Sequence, residues 1–120
     1  MARNVPKQIL SGADNADVTG SAFETQQVYS ASFCPICSDD SAGGTVKIQG
    51  SNDSPVGANT QFTPSNWNDI PNATSTIASG VGPAIVIPVM NFQYIRAVYT
   101  ASSGGGADDT IIVNADFFSV

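Results

Sequence analysis

Cys34-Pro35-Ile36-Cys37 is the stretch of this 120-residue sequence whose spacing comes nearest to thiol chemistry. A CxxC pair exchanges disulfides when it opens a helix, because the helix dipole lowers a thiol pKa. Here the motif closes a strand-like run and leads into the turn Ser38-Asp39-Asp40-Ser41, with no helical pattern behind it. A tetrahedral zinc site needs four nitrogen or sulfur ligands. The chain has two cysteines and no histidine, so one copy cannot complete such a site. The two cysteines are therefore read as structural thiols, with a local or late-forming disulfide between them as the alternative, and neither a metal nor a cofactor is expected.

Acid–base and nucleophilic chemistry have little to stand on. Without histidine there is no ordinary Ser-His or Cys-His nucleophile. A pair of carboxylates could hydrolyse a glycoside, with Glu24, Asp53, Asp69 and Asp116 as candidates, but most of these sit beside Asn, Ser or Gly, where turns account for them. Asp39-Asp40 and Asp108-Asp109 lack the spaced carboxylates of a calcium loop. The expectation is that the chain is not an enzyme. Trp67, Tyr94 and Tyr99 form a candidate aromatic platform for a sugar, with Arg96 on the Tyr94 face.

The elements that must carry these residues read as strands. Leucine and glutamate each occur once and lysine twice, while Val, Ile, Thr, Ser, Asn and Gly dominate. That is the composition of strands and turns, not helices. Residues 28–37 alternate with Tyr29, Ala31 and Phe33 on one face, and Pro35 should end the pairing or mark an edge. Residues 45–50 alternate Val46 and Ile48 with Lys47 and Gln49, and the turn at 38–44 joins the two runs as an expected hairpin.

Residues 94–100 place Ile95, Ala97 and Tyr99 on one face and Tyr94, Arg96, Val98 and Thr100 on the other. A glycine-rich hairpin loop at 102–109 then returns the chain as a last strand at 110–118. Residues 84–89 are a continuous apolar run, read as a strand buried on both faces or covered by a neighbouring subunit. Residues 45–71 look like the spine that hands the chain from one sheet to the other. Val46, Ile48, Trp67 and Ile70 are expected in its core and the loop 54–65 facing a partner or solvent. Roughly eight strands at this spacing make an all-β, single-domain jelly roll or β-sandwich over residues 21–120, preceded by an N-terminal arm at 1–20.

Charged residues are 12% of the chain, about half the usual share of roughly 25%. Neutral surfaces of this kind suit lasting contact with other subunits. The net charge of −6, with only Arg3, Lys7, Lys47 and Arg96 as cations, argues against nucleic-acid binding. No run of 18 apolar residues suggests a membrane span, and the N-terminal sequence lacks a signal-peptide core, which predicts a protein kept in the cytoplasm where it is made.

The order GTVKIQGSND, WNDIP, a Ser/Thr-rich segment, FQYIRAVYTASSGGG and TIIVNADFF resembles a group of small tailed-phage virion proteins over about residues 21–118. The sequence departs from that pattern in its CPIC and in the longer insertion at 54–65. The resemblance implies a β-jelly-roll protein on the capsid surface, of the cement or decoration type, made in the host bacterial cytoplasm. Its implied partner is the major capsid protein, and self-association as a homo-oligomer, with a dimer favoured, is expected. Expected contact residues are Ile9, Leu10, Ile85, Val86, Ile87, Val89, Phe117 and Phe118. The alternative is a carbohydrate-binding or host-attachment module on a fibre or tail, using the Trp67, Tyr94 and Tyr99 platform.

Overall fold

A computed structural model describes residues 3–26, 28–53 and 63–119, with the backbone alone for residues 3–6. Among these residues there is no helix and there are nine strands: β1 (Arg3–Ala13), β2 (Val18–Thr19), β3 (Phe23–Glu24), β4 (Val28–Cys37), β5 (Gly43–Ser51), β6 (Asn68–Ile77), β7 (Ile85–Ile87), β8 (Tyr94–Ser103) and β9 (Thr110–Ser119). They form two antiparallel sheets. Sheet A has the order β1-β9-β4-β7, and sheet B the order β2-β8-β5-β6 with β3 continuing the β2 edge along β8. Taking β2 and β3 as one interrupted strand gives four strands per sheet. This strand order is that of a jelly roll.

The pattern of burial explains the layering. Ala31, Phe33 and Cys37 of β4, Val46 and Ile48 of β5, Ile95, Ala97 and Tyr99 of β8, and Ile111, Val113, Ala115 and Phe117 of β9 all point into one shared interior. Each strand thus buries every second residue, and neither sheet can hide its apolar face without the other. Phe117 is the hinge between the layers. Its ring stacks on Phe23 of sheet B at 4.4 Å and meets Phe33 edge-on at 6.1 Å.

Four expectations are corrected here. Residues 3–13 are not an arm: β1 pairs with β9 from Arg3↔Ser119 to Ala13↔Thr110. A bulge between Gln8 and Leu10 turns both Ile9 and Leu10 inward, which breaks the alternation that would have revealed the strand. The runs 28–37 and 45–50 are not a hairpin, because β4 lies in sheet A and β5 in sheet B. The glycine-rich 102–109 segment likewise crosses between sheets instead of closing a hairpin. Finally, β5 and β6 are neighbours in the same sheet, so residues 45–71 do not hand the chain from one sheet to the other.

The remaining details follow from sterics. Tyr29 sits at a bulge between Val28 and Ser30 and is turned outward instead of sharing a face with Ala31. Pro35 stays within β4, paired with Val113. Cys37 N–H donates to Gly80 O and Ser38 N–H to Thr110 O. By alternation the Pro35 nitrogen faces the β7 side, past the Phe33↔Ile85 pair where β7 stops. The β6–β7 turn places Ser79 and Gly80 at φ 53° and 82°, the two positive values of a tight two-residue turn.

Candidate functional site

The thiols are separated by the strand itself. Positions three apart on a strand point to opposite faces, so Cys34 is exposed on the outside of sheet A and Cys37 is buried inside. Both are free. Burial pushes the Cys37 thiol up, against the neighbouring Tyr99 hydroxyl, which pulls it down. Neither a shared ligand set nor a local disulfide is compatible with that geometry.

Six of the ten carboxylates lie in the three connections at one end of the sandwich, at 14–17, 38–42 and 104–109. Asp14 is their centre. Its carboxylate accepts from Asp39 N–H at 3.3 Å and Gly106 N–H at 2.9 Å, its own N–H donates to Asp109 O, and its carbonyl accepts the Tyr99 hydroxyl at 2.7 Å. Gly105, at φ +77°, passes so close that a Cβ there would stand 2.6 Å from the Asp14 carboxylate. Asp39 is held below the usual carboxylate range by the Ser41 N–H and hydroxyl. Asp14, Asp17, Asp39 and Asp109 act as loop fasteners. Among the described residues no three His, Cys, Asp or Glu side chains are grouped to hold a metal ion.

The outer face of sheet B carries a polar rung set by register. Gln49 of β5 lies directly opposite Asp69 of β6 and Arg96 of β8. Gln49 Nε2 donates to Asp69 at 2.9 Å and Arg96 Nε donates to Gln49 Oε1 at 2.8 Å. Lys47 closes an ion pair with the same Asp69 at 3.2 Å. The Gln49 and then the Lys47 bond hold the Asp69 carboxyl below its ordinary pKa. The Arg96 guanidinium then lies 4.4 Å from the Trp67 ring centroid.

Trp67 is half-buried and outside the core cluster, contrary to expectation; Ile70 packs at the rim of that cluster. The indole is fixed by its own segment. Trp67 Nε1 donates to Pro64 O, and Asp53 accepts both the Ser65 and Asn66 N–H groups at 2.9 Å, which keeps the Asp53 carboxyl below its ordinary pKa. Most of the expected contact loop, residues 54–62, lies outside the described residues.

Of the three aromatics expected to form one platform, Trp67 and Tyr94 do line one cleft, of about 540 Å³, together with Glu24 and Arg96. Tyr99 is not part of it. It is fully buried, and burial first, then neighbouring negative charge, pushes its hydroxyl up to about 12. Tyr94 and Tyr99 are five residues apart on one strand, so alternation already puts them on opposite faces. Glu24, which lines the cleft, and Gln49, which orients Arg96 from beside it, were least visible from sequence, because only the pairings Glu24↔Tyr94 and Gln49↔Arg96 place them. The four carboxylates considered for acid–base work do not meet as a set: Asp116 lies on sheet A, whereas Glu24 and Asp69 lie on sheet B.

The expected contact residues divide. Ile9, Leu10, Ile85, Ile87 and Phe117 belong to the core and cannot reach a partner in the folded chain. Val86 and Val89 are exposed, at 63% and 49%, and Phe118 is half-buried. Among the described residues, the other exposed large apolar side chains, Tyr29, Ile36 and Val81, lie on β4 or bridged to it, so these five cluster on the β4–β7 side of sheet A.

No protein-family model matches the sequence, and no curated protein matches it either. Among solved structures the fold is similar to that of the SPBc2 prophage-derived protein YomS. The TM-score is 0.58 at 7% identity, and the match covers 99% of this chain and 96% of that one. At that identity the likeness is one of fold.

Proposed function

We propose that this chain is a structural protein of a phage particle, bound to the outside of the capsid, where it clamps neighbouring shell subunits. The observation that carries the reading is the outer surface of sheet A. Its outward positions on β4, β7 and β9 include Cys34, Ile36, Val86, Ile112 and Phe118, and Asp116 is the one charged residue among them. Ile36 and Ile112 lie side by side as a cross-strand pair. Ser30, Ser32 and Asn114 alternate with these apolar positions, and apolar side chains grouped on one outer face favour a contact site. The shared fold with a prophage-derived protein supports a phage setting, and so does the order of sequence motifs.

The role requires no catalysis. A protein that binds only the assembled shell stabilises it by mass action. Partners on this reading are the major capsid protein and a second copy of the chain. The test is the protein composition of purified particles: densitometry against the major shell protein should find this chain in stoichiometric proportion. A few copies per particle would overturn the assignment in favour of a tail or fibre position.

A further inference from the structure

The cleft on sheet B owes its opening to a local irregularity. From Thr19 to Phe23 the edge strand takes four steps while β8 takes three, from Val98 to Ile95. The extra residue lifts Gly20, Ser21 and Ala22 away from β8 beside Arg96, while Gly20 N–H still holds Ala97 O. Bulges re-aim side chains and recur next to binding sites. Gly20 is required there, because a Cβ would stand 2.4 Å from Ile9 O. Below the bulge the pairing resumes with Phe23 stacked on Phe117, which turns Glu24 outward beside Tyr94.

We propose that this cleft binds a neutral pyranose sugar. Its volume lies within the range of small-ligand pockets. A pyranose presents one apolar face of C–H groups and a rim of hydroxyls that both donate and accept. The cleft offers the matching set: Trp67 and Tyr94 as stacking surfaces, Glu24 as acceptor, and Arg96 as donor, with one of its five guanidinium N–H groups committed to Gln49. Thr63 and Ser21 also line it.

The rigidity is built in. The indole is held by Pro64 from its own segment and by Arg96 across the sheet, and Arg96 is in turn oriented through Gln49 and Asp69. A preorganised aromatic loses little freedom on binding. Glu24 offsets Arg96, and the chain carries −6, so an acidic sugar is repelled where a neutral one is not. This inference does not depend on capsid attachment, which is read on another face.

Trp67 is the sole tryptophan, so its emission reports directly on the site. The full chain is titrated with methyl β-glucoside, methyl β-galactoside and N-acetylglucosamine at millimolar concentration, and with N-acetylneuraminic acid as the charged counterpart. At least one neutral sugar should give a saturable change, and the acid none. Glu24→Gln and Tyr94→Ala should each weaken binding about tenfold or more. Glu24 is exposed, so Glu24→Gln should leave the unfolding midpoint unchanged and keeps the test clear of misfolding. The proposal is overturned if no neutral sugar gives a saturable signal, if the acid binds best, or if binding survives both substitutions in folded protein.

Discussion

The two outer faces of this sandwich are built from strands of similar length over one interior, yet they solve opposite problems. Sheet B ties its surface together with Asp69, Gln49, Arg96 and Trp67 along one cross-strand rung. Sheet A leaves Ile36, Val86 and Ile112 on β4, β7 and β9 without such a network. A polar rung gives a surface that is ordered by itself and can hold a small ligand in fixed geometry. An apolar surface gains by being covered. The edge beside it is guarded against indiscriminate strand addition, since β7 is three residues long and Pro83 and Pro88 flank it.

The contrast can be broken outright at the shared interior. Phe117→Ala removes the ring that joins Phe23 and Phe33 and should cost about 3–5 kcal/mol in denaturant unfolding. Both faces should then be lost in one cooperative transition. A variant that lost one face and kept the other would show the sheets to be independent. Cutting the rung is milder. Gln49→Leu strips a partner from Arg96 and from Asp69, for a loss of about 0.5–1.5 kcal/mol. It should change Trp67 emission while leaving the reactivity of Cys34 on the other face as it was.

Acid should act on the same side. Asp53 and Asp69 are held below the ordinary aspartate value of 3.8 by their hydrogen bonds, so their stabilisation is present above that value and is lost as pH falls through their lower folded values. Trp67 emission followed from neutral pH to below 3.8 should change in that acid range alone. Alkali works in the reverse sense through Tyr99. Its neutral form is favoured by the fold, so stability should fall as pH rises from 10 toward about 12, and Tyr99→Phe should remove that part of the loss. The smallest effect belongs to sheet A. Val86→Asp replaces an exposed side chain and should shift stability by no more than about 0.5 kcal/mol.

Much of the fold was legible because alternation is a local signal. The inward sets Ile95, Ala97, Tyr99 and Ile111, Val113, Ala115, Phe117 can be read directly from the sequence. Sheet membership was not legible. The turns at 38–42 and 104–109 look like hairpin loops, but they are fastened to Asp14, whose bonds reach 25 and 92 residues along the chain, and they carry the chain between sheets. Two bulges, at Gln8–Leu10 and at Val28–Ser30, hid an edge strand and misplaced Tyr29. Hydrophobicity alone named the contact residues, which is why five of the eight proved to be core. Trp67 and Tyr94 of the sheet B cleft could be named from aromatic type, while Glu24 in it and Gln49 beside it depend on a register that no local pattern encodes.

The direct test of attachment through sheet A is reconstitution on particles stripped of this chain. Wild-type protein should bind saturably and raise the temperature at which the particles release their DNA. Glu24→Gln should do the same, whereas Ile36→Asp combined with Val86→Asp should bind poorly and give no protection while remaining folded. Equal binding by the double variant, or none by the wild type, would contradict the account.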